Sequence, residues 1–317
     1  MGKSYLVLWA LFAVLSFSVS AQSTDIKRDG LFLGISTGVL AGEAEEIVYR
    51  DKNTDNKLSQ LLWPFKPLVY AGVDLRYNWR IPASRLNVFA DGILKFGFPG
   101  ITGKMEDRDW VDARYADFLT HYSIHDNTTE DAVLIDVNAG VTFPVFEKYL
   151  LKAFIAYNHM YFSWAASGGS FLYPDKNSGG HGYMVTSDKV ITYRQTWNII
   201  SPGILFYGAF NRYFDIELSF KTSPFIWFFA VDEHLARNLV ITDDLHGGFF
   251  VEPSLLFSFK PNNNITLSFS FLYRNITGTR GDGEYEEQGK QPLITNNLNG
   301  AAYSVFDTGI VTRFNIF

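Results

Sequence analysis

Hydrophobic and polar residues alternate along much of this chain. Val69, Ala71, Val73, Leu75, Tyr77 and Trp79 alternate with Tyr70, Gly72, Asp74, Arg76, Asn78 and Arg80. Val133, Ile135, Val137, Ala139, Val141 and Phe143 repeat the pattern, as do Phe249 to Phe259 and Ile265 to Tyr273. A period of two is that of a β-strand with one apolar and one polar face. In a soluble sandwich the apolar face is buried. In a membrane barrel it meets lipid and the polar face lines the lumen. Alternation alone fits both.

The segments between these runs come in two lengths. Short turns fall near Ile81-Pro82-Ala83, Val145-Phe146-Glu147, Asn211-Arg212-Tyr213 and Pro261-Asn262-Asn263. Longer connections run roughly over 51–57, 100–131, 174–188, 233–245 and 280–299. Outer-membrane barrels pair short periplasmic turns with long outer loops. Four turns and five loops join ten strands, expected at 30–50, 58–80, 85–99, 132–144, 149–173, 188–210, 213–231, 246–260, 264–279 and 301–317. The fold class is therefore all-β, a ten-stranded antiparallel up-and-down transmembrane barrel. Several strands exceed the roughly ten residues that cross a bilayer. The barrel is expected to extend above the outer membrane on its long-loop side.

The amino terminus changes the compartment. Lys3, the apolar run Leu6 to Val19 and then Ser20-Ala21-Gln22 read as a secretory signal peptide over residues 1–21, with 22–317 as the barrel. A chain ending in Phe317 resembles the terminal strand that outer-membrane barrels present for assembly. Among 317 residues there is no cysteine, which excludes disulfides and thiolate metal sites. The formal net charge of -6 speaks against a nucleic-acid partner. His121, His159, His181 and His246 show no zinc-ligand spacing. Arg280-Gly281-Asp282 reads as a chance tripeptide in a loop.

Two short motifs carry candidate chemistry. In Met105-Glu-Asp-Arg-Asp-Trp-Val-Asp112, the carboxylates of Asp107 and Asp109 stand on one side of extended backbone. Like charges that close cannot both ionise easily, so one tends to keep its proton. Asp232-Glu233-His234 sets a carboxylate beside an imidazole, a base and its orienter. The topology sends both segments to the same rim. The apolar face of the third strand, carried forward, turns Asp107 and Asp109 inward, unless the Gly97–Gly103 region carries a bulge. The seventh is open: Ile216, Leu218 and Phe220 would put Asp232 outside, unless Ser223-Pro224 is a bulge that switches the phase. On spacing alone the signal is weak, and solvated loop charges are the commoner reading of such short motifs.

The chain resembles the omptin family, ten-stranded outer-membrane endoproteases. The resemblance runs through Leu40-Ala41-Gly42 with Val48-Tyr49, Leu58-Ser59-Gln60-Leu61 with Trp63, Met105 to Trp110 with Asp112, Gly168-Gly169-Ser170 with Tyr173, and Asp232-Glu233-His234. It implies a catalytic set of Asp107, Asp109, Asp232 and His234, with water between His234 and the aspartate pair attacking the scissile carbonyl. It needs no cofactor or metal. Ser123 and His125 match a family segment near the groove, as supporting substrate-binding positions. Glu46 matches one of two acids that bind a basic substrate side chain. Ala230 stands where the second would be, so the resemblance implies a weakened or altered preference. His159, Tyr161 and Thr196 replace the family's lipopolysaccharide contacts, so activation by that lipid does not carry over.

The leading expectation is a surface endopeptidase acting on peptides or proteins at the exterior of the bacterial outer membrane, embedded in its lipid. The alternatives are an omptin-like adhesin and a narrow pore. A barrel phospholipase is disfavoured, since no serine–histidine pair with an orienting group is evident.

Overall fold

The computed structural model describes residues 30–84, 86–112, 118–146, 149–174 and 181–316. The segment read as a signal peptide lies outside them, as does Phe317. The strands are β1 (Gly30–Tyr49), β2 (Lys57–Arg80), β3 (Asn87–Gly97), β4 (Gly100–Asp109), β5 (His121–Phe146), β6 (Tyr149–Pro174), β7 (His181–Val185), β8 (Lys189–Ala209), β9 (Phe214–Ser223), β10 (Ile226–His234), β11 (Leu239–His246), β12 (Phe249–Phe259), β13 (Ile265–Glu287) and β14 (Leu293–Asn315). β3/β4, β9/β10 and β11/β12 are each one wall strand with a break, and β7 extends β6 as a hairpin. Pairing of β14 with β1 closes a ring of ten antiparallel wall strands. Closure leaves no edge to pair with another chain.

Side chains sort by strand phase. Ile35, Val73, Phe96, Val137, Ile155, Ile204, Phe220, Phe271 and Ile310 are exposed on the outside and form an apolar belt around the end that carries the short turns. The inward set at that level is charged and paired. Arg313 donates to Asp74 at 2.5 and 3.2 Å, and Arg76 to Glu217 at 2.7 and 3.1 Å. Arg274 donates to both Asp136 and Glu252. Arg76–Glu217 and Arg274–Asp136 cross the lumen between strands distant in the ring, Arg313–Asp74 bridges over β1, and Arg274–Glu252 joins the neighbouring strands β13 and β12. Above this layer, aromatic rings close the barrel: Trp63 on Trp164 at 5.8 Å and on Tyr193 at 5.2 Å, Phe65 on Phe162 at 4.9 Å, and Trp197 on Phe228 at 4.3 Å. Ring pairs of this kind contribute about 0.5–1.5 kcal/mol beyond the area they bury. Among the described residues the lumen is thus filled at mid-height rather than open.

The barrel continues past the belt because the long connections are mostly strand. The expected loop 100–131 is β4, a connection and the first part of β5. Much of 233–245 is β11, reached from β10 by a single 3₁₀ turn, Leu235–Arg237. The stretch 280–299 is the end of β13 and the start of β14. Polar alternation in these segments hides strands with no lipid to face. Arg280 illustrates it: the guanidinium donates to the Thr54 carbonyl at 2.8 Å and to Asp55 at 2.7 Å, and lies 3.6 Å from the Tyr49 ring. The Arg-Gly-Asp tripeptide is therefore a strand segment tied to the β1–β2 connection.

Candidate active site

The four aspartate and histidine positions point inward above the aromatic layer, each for an identifiable backbone reason. In β3 the odd residues Phe89 and Lys95 are buried. Two irregularities follow, at Phe98-Pro99 and at Gly103, where the β4–β5 register shifts. They cancel, so Met105 and Asp107 also point in, at 0% and 8% exposure. In β9 the odd residues Asp215, Lys221 and Ser223 are buried, whereas in β10 the even residues Ile226, Phe228, Ala230 and Asp232 are. The switch occurs at Pro224. Ser223 Oγ donates to the Ile200 carbonyl at 2.5 Å and accepts from the Phe225 N–H at 2.8 Å, occupying groups that the ladder leaves free there.

Asp232 is 1% exposed, and its Oδ2 lies 2.7 Å from Nε2 of His234. Burial pushes the imidazole towards neutrality. The charge and hydrogen bond of Asp232, followed by the charge of Asp107, outweigh it and raise His234 above its ordinary value. Across the cleft, burial and then the neighbouring Asp109 push Asp107 up to about 7, against a lowering by His234. Asp107 Oδ1 has no hydrogen-bond partner. The β4 and β10 pairs are thus close enough to shift each other, although their strands are not neighbours in the ring.

Glu46 lies in the same row as Asp107, both in register with Leu61 on β2. It is 2% exposed and its Oε2 is unpartnered. Burial and then Asp232, Asp243 and Asp107 hold its carboxyl well above the usual carboxylate range. Ala230 is buried one alternation below Asp232. Ser123 and His125 are buried on β5, and Ser123 is in register with Asp107. His125 Nδ1 donates to the Gly168 carbonyl at 2.5 Å, and burial holds that imidazole below its ordinary value. The bond fastens β5 to the Gly168-Gly169 bulge of β6. A Cβ on Gly169 would sit 1.9 Å from the Ile124 carbonyl oxygen, so only glycine fits there. Beyond the bulge Tyr173 reaches back to the site, where burial and then Asp107 and Asp109 push its hydroxyl up to about 12. His159 is not at the cleft: its Nδ1 donates to Asn198 at 2.9 Å on the β6–β8 face.

Reading the sequence as loop over 233–245 and 280–299 hides two residues of this site. Asp243 is 2% exposed, and burial above all pushes it up to about 7. Asn299 donates to its Oδ1 at 2.6 Å. The alternation Leu239, Ile241, Asp243, Leu245 against Thr242, Asp244 and His246 is the signal that marks Asp243 as inward.

A closed ten-stranded barrel with a lipid-facing belt and a buried cluster of acids and an imidazole above it defines an outer-membrane barrel with a site at one rim. Its residues 27–316 match the omptin family, and the chain belongs to that family. It is 28% identical to the plasminogen activator of Yersinia pestis over 286 residues, 89% of this chain and 88% of that protein. It is 29% identical to protease 7 of Escherichia coli O157:H7 over 312 residues, 96% and 93% of the two chains. The crystal structure of the outer membrane protease OmpT from Escherichia coli shares the fold, with a TM-score of 0.81 at 19% identity, covering 92% of this chain and 98% of that one. Membership places this chain in the outer membrane and among peptide hydrolases.

Proposed function

We propose that this protein is an endopeptidase of the cell surface whose nucleophile is a water held between His234 and the Asp107/Asp109 pair. The observation that carries this reading is the placement of Asp107 on β4 and of the Asp232–His234 pair, joined at 2.7 Å on β10, as inward groups buried on separate walls of one rim. His234, held by Asp232, takes a proton from the water on the ring nitrogen that Asp232 leaves free. The water oxygen bonds to the scissile carbonyl carbon, and the carbonyl π pair moves onto oxygen. Asp107, protonated beside Asp109, donates a hydrogen bond to that oxyanion. Collapse breaks the C–N bond, and the leaving nitrogen takes the proton back from His234. Peptides and proteins at the exterior are the substrates, which reach the rim on the side away from the short turns.

The aromatic layer and the ion pairs beneath it speak against a pore. Digestion of a peptide library by the refolded protein tests the reading. Asp107→Ala and His234→Ala are each expected to remove cleavage while the barrel keeps its heat-modifiable migration. Equal cleavage by wild type and His234→Ala overturns the assignment.

A further inference from the structure

Below the aromatic layer, at the end of the short turns, the lumen holds a hollow of about 140 Å³. In an outer-membrane barrel that end faces the periplasm. Four basic side chains line the hollow, Arg76, Lys152, Lys260 and Arg313, against two acidic ones, Asp215 and Glu217. We propose that this lower mouth is a binding site for a small oxyanion of the phosphate class, taken from periplasmic water and held between Lys152 and Arg76. The site owes nothing to the chemistry at the opposite rim.

Three of the four cations already have a carboxylate. Arg313 donates to Asp74 at 2.5 and 3.2 Å, and Lys260 pairs with Asp215. Arg76 donates to Glu217 at 2.7 and 3.1 Å and occupies both of its oxygens. Among the described residues Lys152 has no carboxylate partner. It is 5% exposed, and its ammonium lies 4.4 Å from the centre of the Phe89 ring. A ring face offsets only part of the cost of taking an ammonium out of water. Arg76 has a second unmet need, since its Nε is buried with no acceptor. One hollow is therefore lined by a cation without a counter-ion and a guanidinium with a spare donor.

The remaining lining suits an oxyanion. Asn78, Asn87, Thr142 and Thr266 bring amides and hydroxyls to the same space. A phosphate carries several acceptor oxygens, so it can meet a guanidinium edge, an ammonium and neighbouring hydroxyls at once. The volume admits one such anion with a few waters, at about 30 Å³ per water. The barrel wall stands between these inward groups and the lipid headgroups, which makes free phosphate the source. Arg76 is on β2 and Lys152 on β6, and β3 and β5 separate them in the ring. A bound anion thus braces the mouth across walls that no ladder joins.

The test uses full-length refolded protein in an uncharged detergent, with inorganic phosphate titrated against chloride at constant ionic strength. Heat-modifiable migration reads the unfolding temperature, and phosphorus NMR line broadening reads binding directly. A saturable rise in unfolding temperature with phosphate and not with chloride is expected. Lys152→Met keeps the stem and removes the charge. It is expected to weaken phosphate binding by at least about 30-fold, the scale of losing one partner of a buried charge pair, and to be no less stable than wild type in chloride. Asn78→Asp changes little volume, adds a carboxylate to the lining and is expected to weaken phosphate as well. Phosphatidic acid in the micelle is the headgroup arm and is expected to act no differently from neutral lipid. Equal responses to phosphate and chloride, or either variant binding phosphate as tightly as wild type, overturn the site. A response to phosphatidic acid without one to free phosphate overturns its place in the lumen.

Discussion

His234 Nε2 lies 2.7 Å from Asp232 Oδ2, and the same imidazole is shifted by Asp107 from the opposite wall. One ring nitrogen is held by a buried carboxylate and the other faces the cleft. His234 must be neutral to act as base, and Asp107 must be protonated to act as donor. His234 is raised above its usual value and Asp107 to about 7, so activity is expected only in a narrow bell around neutral pH. Asp232→Asn removes the charge that stabilises the imidazolium. His234 then titrates lower, and the acid limb of kcat/KM moves to lower pH. The rate itself falls by roughly 10³–10⁴-fold, the scale of losing the orienting carboxylate of a histidine base. A pH profile of the variant whose acid limb does not move contradicts the pairing.

Asp107 separates two roles for the aspartate pair. As a neutral hydrogen-bond donor it is mimicked by an amide, and as an anion it is not. Asp107→Ala is expected to lower kcat by about 10²–10³-fold, the typical cost of one oxyanion donor. Asp107→Asn is expected to keep more activity than Asp107→Ala and to lose the alkaline limb, since its donor does not ionise. Steady-state kinetics from pH 5 to 9 decide it. Asn and Ala variants of equal activity exclude the donor role.

Legibility of this fold followed the lipid. Where a strand crosses the belt, as over Val69 to Trp79, alternation is sharp and its limits were readable. Above the belt both faces are wet or half-wet, so β4, β11 and the ends of β13 and β14 read as loop. Asp107, Asp109, Asp232 and His234 could be singled out as candidates because they lie in short motifs that resemble those of the omptin family. Asp243 could not, because it lies on β11, in a stretch that read as loop.

The same burial gives Asp243 a cost in stability. Its folded pKa of about 7 lies above the ordinary carboxylate value of 3.8. The folded state therefore holds a proton that the unfolded state has released between those values. The stability this contributes is present below about pH 4 and is lost as pH rises to about 7. Asp243→Asn is thus expected to raise the unfolding temperature at pH 8 by a few degrees, with little change at pH 4. Heat-modifiable gel migration at the two pH values measures it. A variant less stable than wild type at pH 8 would show that the charge is compensated.

In the lower lumen Arg274 joins Asp136 at 3.0 Å and Glu252 in one buried network. Arg274→Met keeps much of the stem volume and strands both carboxylates. Loss of one partner from such a network costs about 3–5 kcal/mol. The urea midpoint of the refolded variant in detergent is expected to fall accordingly. An unchanged midpoint would mean that water reaches the two acids.

The inward phase of the wall changes at Pro224. Below it the odd residues Asp215 and Ser223 are inside; above it the even residues Ala230 and Asp232 are. A one-residue slip turns every following side chain to the other face. Deletion of Pro224 removes the extra residue: Ile226 then stands two positions after Ser223, and the ladder from β9 into β10 runs unbroken with the same even residues inside. The single deletion is therefore expected to keep both heat-modifiable migration and cleavage. Deletion of Pro224 and Phe225 together shortens the strand by one residue more, turns Asp232 outward and drives Trp227 and Phe229, now exposed at 49% each, into the aromatic layer. Cleavage by that variant is expected to fall to the level of His234→Ala, and alanine inserted after Ser223 in it restores the single-deletion length and is expected to recover activity. Loss of cleavage in the single deletion with retained cleavage in the double deletion would place the phase switch elsewhere in β10.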